Sequence, residues 1–170
     1  MRSLLSILAI LAFTLGAAGS ARAWEPLRAA NGHVERGNRR MAEEDPAGAL
    51  EAYDAAAREL PSEAGVHLNR GVALLASGDH ARAREALLLA TEPSAPAELR
   101  GAAYYDLGLS FYREGDRLAL EEDHQGAQDQ FREAADAFRR SLRAAPGNRD
   151  AAWNLELALR RIQEQQEQQE

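Results

Sequence analysis

The sequence predicts an all-α fold built from stacked helical hairpins, and three observations support this prediction. Helix-forming residues dominate from Asn31 onward, and no stretch alternates between apolar and polar residues as a half-buried strand would. Apolar residues make up 45% of the chain, enough for a helical core, whereas aromatic residues, at 6%, are too few for a typical β-sandwich. The chain also matches itself after the shift that places Gly37 on Gly71, and a period of this length is typical of helical solenoids.

The repeat has an ordered pattern of small and large residues. In the first copy, Gly37 is followed by Ala49, Tyr53, Ala56 and Pro61. The corresponding residues are Gly71, Ala83, Leu87 and Ala90 in the second copy, at the same spacing, and Gly108, Ala134, Phe138 and Pro146 in the third. We expect the small residues to let paired helices approach closely, the large ones to fill the space between neighbouring repeats, and the prolines to end the second helices.

Turn-forming residues lie where this pattern needs the helices to end. Asp45 before Pro46 is typical of an N-cap followed by proline at the first helical position. Gly78 and Asp79 supply a helix stop and a cap between the two helices of the second repeat. Ser62 is expected to cap the first helix of that repeat. These signals divide the first two copies into helix–turn–helix units.

The third copy contains an insertion between its glycine and its closing residues. This acidic insertion covers residues 115–128, and we expect a solvated extension of the flanking helices, with a partner-specific loop as the alternative. A helix at 149–162 then matches the first helix of a fourth repeat, as a solenoid cap would. Residues 163–170 contain only Gln and Glu, which predicts a frayed helix end or a disordered tail.

These residues and spacings resemble the tetratricopeptide repeat. The resemblance implies an all-α superhelix of about three helix–turn–helix repeats, at residues 30–63, 64–97 and 101–148, closed by a capping helix at 149–162. It also implies a scaffold that binds a partner protein or peptide in the concave groove lined by the first helices. No catalytic residue and no cofactor are expected for such a protein.

A narrower set of motifs resembles the repeat proteins of the aerotolerance (Bat) operon family. The motifs are ERGN at 35–38, LNRG at 68–71, YYDLG at 104–108 and WNLELALRRI at 153–162, ahead of the Gln-rich tail. The chain departs from that family at Asp106 and Leu109, where asparagine is usual. The resemblance implies a periplasmic adaptor beside membrane-anchored von Willebrand A-domain proteins and a MoxR-type ATPase. An adaptor for a cell-wall, division or pilus machine is the alternative.

The candidate partner-binding residues occupy the positions that face the groove in tetratricopeptide repeats. Carried onto this chain, they are Asn38, Asn69, Tyr105, Asp106, Tyr112, Arg113, Trp153 and Asn154. Amide side chains can hydrogen-bond the backbone of an extended peptide, and aromatic side chains offer rigid contact area. The alternatives are that Tyr105 and Trp153 pack between helices and that the asparagines link adjacent helices. The groove is less basic than one that grips a C-terminal carboxylate, so no such clamp is expected.

The first residues predict an export signal. Arg2 precedes an apolar run over residues 4–15, and residues 21–23 have the small-x-small pattern of a signal-peptidase site. The apolar run spans ~20 Å as a helix, short of the ~30 Å hydrocarbon core of a bilayer. Cleavage after Ala23 is therefore favoured over a retained membrane anchor. We expect a periplasmic protein that begins at Trp24 and does not insert into the membrane.

Composition excludes several classes of function. The chain has no cysteine, which rules out a disulfide framework, a zinc–thiolate site and a cysteine nucleophile. The formal charge is −7, and it becomes −9 once residues 1–23, with two arginines and no acid, are removed. Such an acidic protein is not expected to bind nucleic acid. The histidines lack metal-ligand spacing, so no metal site is expected. A cell-wall hydrolase with a carboxylate pair near Asp106 is the remote alternative to a non-enzymatic scaffold.

Overall fold

The structure, a computed structural model, describes residues 31–168, and these residues form seven α-helices and no strand. In chain order the helices are α1 Gly32–Ala42, α2 Pro46–Glu59, α3 Ala64–Ala76, α4 His80–Leu89, α5 Ala97–Leu120, α6 His124–Ala144 and α7 Arg149–Glu167. The first six pair in chain order as three hairpins, and α7 packs against α6. The predicted all-α fold is confirmed, while the predicted signal segment at 1–23 lies outside the described residues.

The three hairpin turns have the same geometry. A residue with positive φ, 57° at Glu44, 79° at Gly78 and 61° at Glu122, directly precedes an aspartate. The three aspartates are Asp45, Asp79 and Asp123. Each caps the second helix by accepting a hydrogen bond from the backbone N–H three residues on, at 2.9, 3.1 and 2.9 Å respectively. The caps predicted at Asp45 and Asp79 are confirmed, and Asp123 in the insertion supplies the third.

Each hairpin is closed by a glycine of its first helix that faces a large side chain of its second. The pairs are Gly37 with Tyr53, Gly71 with Leu87, and Gly108 with Phe138. A Cβ added to Gly71 would lie 2.5 Å from Cγ of Leu87, well inside van der Waals contact. The large residues therefore fill the space within their own hairpin, and Tyr53 and Leu87 also join apolar clusters that reach the next hairpin. The three glycines occupy equivalent sites, as the repeat predicts.

Helix ends follow the sequence signals with two exceptions. Pro61 and Pro146 each come directly after the C-cap of a second helix, as predicted. The prediction for Ser62 is wrong, because α3 has Glu63 as its N-cap and no side chain caps it. The third hairpin begins at Ala97 rather than near residue 101. The predicted alanines of the second helices are all fully buried: Ala49, Ala56, Ala83, Ala90 and Ala134.

The insertion in the third repeat is helical and partly buried. The separation between the hairpin glycine and the capping aspartate is about two helical turns longer in the third repeat than in the first two. In α6, the separation between the capping aspartate and the large residue that faces the glycine increases by the same amount. Gly115 repeats the arrangement of Gly108 two turns further along α5. A Cβ added to it would lie 2.7 Å from Cε1 of Phe131, which is buried. The insertion thus extends the flanking helices as expected, but it packs along one face instead of being wholly solvated.

Helix α7 is longer than predicted and packs against the extended hairpin. It continues to Glu167, so the expected frayed tail from Gln163 onward is wrong up to that residue. Gln165 is only 5% exposed, and its Oε1 lies 2.9 Å from Nδ1 of His124 at the start of α6. Gln165 is thus buried in a segment where the sequence pattern offered nothing to bury. Within residues 31–168, no helix combines the length and the apolarity needed to cross a bilayer.

Candidate partner-binding surface

The first helices of the hairpins lie side by side, and α7 continues the row. Helix α3 packs against α5, and α5 packs against α7. Asn69 on α3 donates from Nδ2 to Oδ1 of Asn38 on α1 at 3.5 Å. Asn154 on α7 donates from Nδ2 to the Tyr105 hydroxyl on α5 at 3.2 Å. We call the surface formed by α1, α3, α5 and α7 the inner wall, and these four candidate residues lie at its junctions.

Asn38 contributes to the hairpin as well as to the inner wall. Its Oδ1 accepts a 2.8 Å hydrogen bond from the hydroxyl of Tyr53 on α2. Burial raises the pKa of Tyr53 to about 12, so the hydroxyl stays protonated and remains a donor. Asn38 therefore links α1 to both α2 and α3. This matches the alternative in which the asparagines link adjacent helices.

Tyr105 and Tyr112 are half-buried, and their rings pack on the third hairpin. The ring of Tyr105 lies 5.9 Å from that of Phe138, and the ring of Tyr112 lies 5.2 Å from that of Phe131. Burial raises the pKa of both phenols. Packing between helices buries most of the surface of these two side chains, so only a limited edge of each ring is open to a partner.

Trp153 and Arg113 lie open to solvent, as does Asn38. Trp153 is 58% exposed, so its role is not explained by packing between helices. Arg113 on α5 is exposed too, and it forms no ion pair with any residue in the range 31–168. Tryptophan and arginine are enriched among the residues that dominate binding energy at protein interfaces. The inner wall thus presents two strong contact groups that its own packing does not use.

Asp106 differs from the other candidates because it is a half-buried acid. Burial raises the pKa of its carboxyl to about 7, and the positive charge of Arg113 opposes this shift. None of the described residues donates a hydrogen bond to the Asp106 carboxylate, although buried charges normally have partners. At neutral pH the neutral and ionised forms are therefore both populated.

The far end of the inner wall has a polar network that the sequence patterns did not reveal. Arg161 on α7 donates to Oδ1 of Asp116 on α5 at 2.9 Å and to Oε2 of Glu164 at 2.8 Å. Its guanidinium carbon also lies 5.1 Å from the centre of the Phe131 ring. These contacts join α7 to both helices of the extended hairpin.

The histidines make isolated polar contacts. Nε2 of His33 lies 3.2 Å from a carboxylate oxygen of Glu59, and Nε2 of His67 lies 2.8 Å from the carbonyl oxygen of Pro61. Within the described range 31–168, no three His, Asp or Glu side chains come together as a metal-ligand set.

Comparison with known proteins agrees with this geometry. Residues 34–98, which span the first two hairpins, match the family model described as a tetratricopeptide repeat. The first TPR domain of human RPAP3 superposes with a TM-score of 0.62 at 20% identity, covering 79% of this chain and 93% of that one. The Sgt2 TPR domain from Aspergillus fumigatus superposes with a TM-score of 0.56 at 26% identity, covering 82% of each chain. No curated protein sequence matches significantly. The described residues therefore have the all-α fold of a tetratricopeptide-repeat superhelix, and domains with this fold generally mediate protein–protein interaction.

Proposed function

We propose that the protein is an exported adaptor whose inner wall binds an extended segment of a partner protein. The observation that carries this proposal is the exposure of Trp153. Its side chain is 58% exposed, although tryptophan is highly buried on average. Arg113 is exposed on the neighbouring first helix. The amides of Asn69 and Asn154 can hydrogen-bond a peptide backbone without reading its side chains. The inner wall thus offers contact groups for the side chains of a bound segment and hydrogen-bonding groups for its backbone.

The cellular location in this proposal rests on the segment 1–23. Its charged start, short apolar run and small-x-small end are those of a cleavable export signal. Mass spectrometry of the protein from the periplasmic fraction of expressing cells is expected to show an N-terminus at Trp24. Protein that retains this segment and stays in the membrane fraction would contradict cleavage.

The partner in this proposal is a membrane-anchored envelope protein. The motifs at 35–38, 68–71, 104–108 and 153–162 resemble those of the aerotolerance operon family, which favours a von Willebrand A-domain protein as the partner. The chain itself is acidic and is not expected to bind anionic lipid. A membrane location would therefore come through the partner.

Affinity capture from detergent-solubilised envelope, followed by titration with the purified captured protein, tests the proposal. The wild-type protein is expected to bind saturably. Trp153→Ala is expected to weaken binding about tenfold or more, because truncation of a central aromatic anchor removes much of the binding energy of an interface. Leu88→Ala is the matched control, since Leu88 is 56% exposed but lies on α4, outside the inner wall. This variant is expected to bind as the wild type does.

The outcomes of the capture separate the possible roles. Unchanged binding by Trp153→Ala, or equal loss in both variants, would contradict binding at the inner wall. Capture of an A-domain protein supports the operon-type assembly, whereas capture of a division or pilus component indicates a different envelope machine. Turnover of peptidoglycan by the purified protein would contradict a purely adaptor role.

A further inference from the structure

One repeat position forms a row of polar side chains across the inner wall. This position lies two residues before the hairpin glycine or, in α7, two residues before its counterpart Glu156. The row consists of Glu35, Asn69, Asp106 and Asn154. Both amides are engaged in hydrogen bonds between first helices. Asp106 lies on α5, which packs against both α3 and α7, and no described residue hydrogen-bonds its carboxylate. The row therefore holds one half-buried acid without a partner.

The charges around Asp106 compensate its carboxylate only in part. Arg113, seven residues further along α5, is close enough to favour the ionised form but makes no ion pair with it. Asp150 on α7 adds negative charge near the hydroxyl of Tyr105. On α3 the equivalent position carries the neutral amide of Asn69. An additional cation at this site would meet a net negative environment.

We infer, on the basis of the proposed binding function, that Asp106 binds a cationic group of the partner, a lysine or arginine side chain in an extended segment. The aromatic surface of Tyr105 and Trp153 suits the apolar stem of such a side chain, and its charged head would reach the carboxylate. A half-buried carboxylate with no direct ion pair or hydrogen bond is unfavourable in the isolated protein. A bound cation would relieve this penalty, so Asp106 would contribute to the binding free energy alongside Trp153.

The protonation of Asp106 makes the interaction dependent on pH. Burial raises the pKa of this carboxyl to about 7. A bound cation favours the ionised form, so binding releases a proton and strengthens as the pH rises through 7. Between pH 6 and pH 8 the ionised fraction of a group with this pKa grows about tenfold. The affinity for a cationic segment is expected to follow the same increase.

The test uses the full-length protein and three short peptides, acetylated and amidated so that only the central residue can carry charge. The central residue is lysine, norleucine or glutamate, and the flanking residues are alanine and serine. Binding is followed by NMR through the indole N–H of Trp153. At pH 8 the lysine peptide is expected to bind about tenfold more tightly than the norleucine peptide, and Asp106→Asn is expected to abolish this preference. Glu85→Gln, which changes an exposed acid on α4, outside the inner wall, is expected to retain it.

Several results would overturn the inference. Equal affinity for the lysine and norleucine peptides would do so, as would tighter binding of the glutamate peptide or a lysine preference that survives Asp106→Asn. If all three peptides still bind saturably at Trp153, the proposed function stands and only the role of Asp106 fails. If none of them binds, the inference also fails, and capture from the envelope then decides the proposed function separately.

Discussion

The glycines of the first helices matter because of the volume that they leave free. Each of Gly37, Gly71 and Gly108 faces a large buried side chain of the second helix, and any Cβ there would overlap it. The same relation holds between Gly115 and Phe131 in the extension. Close packing within a hairpin therefore depends on single atoms at these sites.

Gly115→Ala is expected to destabilise the protein by about 1–3 kcal/mol, because the added methyl group would lie 2.7 Å from the buried ring of Phe131. Gly32→Ala is the control, since a Cβ at Gly32 has nothing within 4 Å. Its free energy of unfolding is expected to stay within about 0.5 kcal/mol of the wild type. Urea denaturation of both variants measures the difference, and equal stabilities would contradict the packing described for the extension.

Asp106→Asn is expected to stabilise the protein, with a larger gain at pH 8 than at pH 5. The folded-state pKa of about 7 lies above the usual value of 3.8. Between these values the native state binds more protons than the unfolded state, so this group lowers stability as pH rises. Thermal unfolding at the two pH values tests the effect, with the exposed Glu35→Gln as control. A gain that is the same at pH 5 and pH 8 would contradict the burial of this carboxyl.

At the scale of helices, the third hairpin keeps its packing face because each of its helices gains seven residues. Seven residues are close to two helical turns, so the added part presents the same face as the original one. The facing pairs are Gly101 with Ala145, Gly108 with Phe138, and Gly115 with Phe131. An insertion whose length is not close to a whole number of helical turns would rotate the extension off this face.

Gln165→Ala is expected to lower the free energy of unfolding by about 1 kcal/mol or more, because it removes a buried hydrogen-bonding group opposite His124. Gln166→Ala changes the adjacent, exposed residue and is expected to have little effect. Chemical denaturation compares the two single substitutions on the same helix. If they proved equivalent, the last turns of α7 would not be packed as described.

Local signals predicted most of the helices but not the end of α7. The capped turns and the glycine sites were predictable because each depends on residues close together in the chain. The contact between Gln165 and His124 joins residues far apart in the sequence, so a polar sequence pattern could not reveal it. The packing of the extension did have a signal, because Gly115 precedes Phe131 by the same interval that separates Gly37 from Tyr53.

At the scale of the whole molecule, the exposure of candidate residues depends on the next element in the stack. Val34, Tyr105 and Trp153 share one repeat position, three residues before the hairpin glycine or its counterpart. Val34 is buried and Tyr105 half-buried, whereas Trp153 is exposed. In the described residues no further hairpin follows α7 to cover it. The repeat therefore predicted which positions line the inner wall, but not which side chains packing would leave available.

The inner wall continues from α1 to α7, and the acid Asp106 and the anchor Trp153 both lie towards its C-terminal end. Each hairpin contacts only its neighbours, so the wall is a nearly one-dimensional surface suited to an extended guest. Binding is accordingly expected to be stronger towards α5 and α7 than at α1.

Site-specific photo-crosslinking in living cells tests the central claim most directly, namely that the inner wall holds a partner protein. A photo-reactive phenylalanine analogue is placed at position 153 on the inner wall or, as a control, at position 88 on α4, two sites of nearly equal exposure. The account predicts a discrete crosslinked envelope protein from position 153 and none from position 88. Crosslinks from position 88 alone, or the same products from both positions, would contradict it.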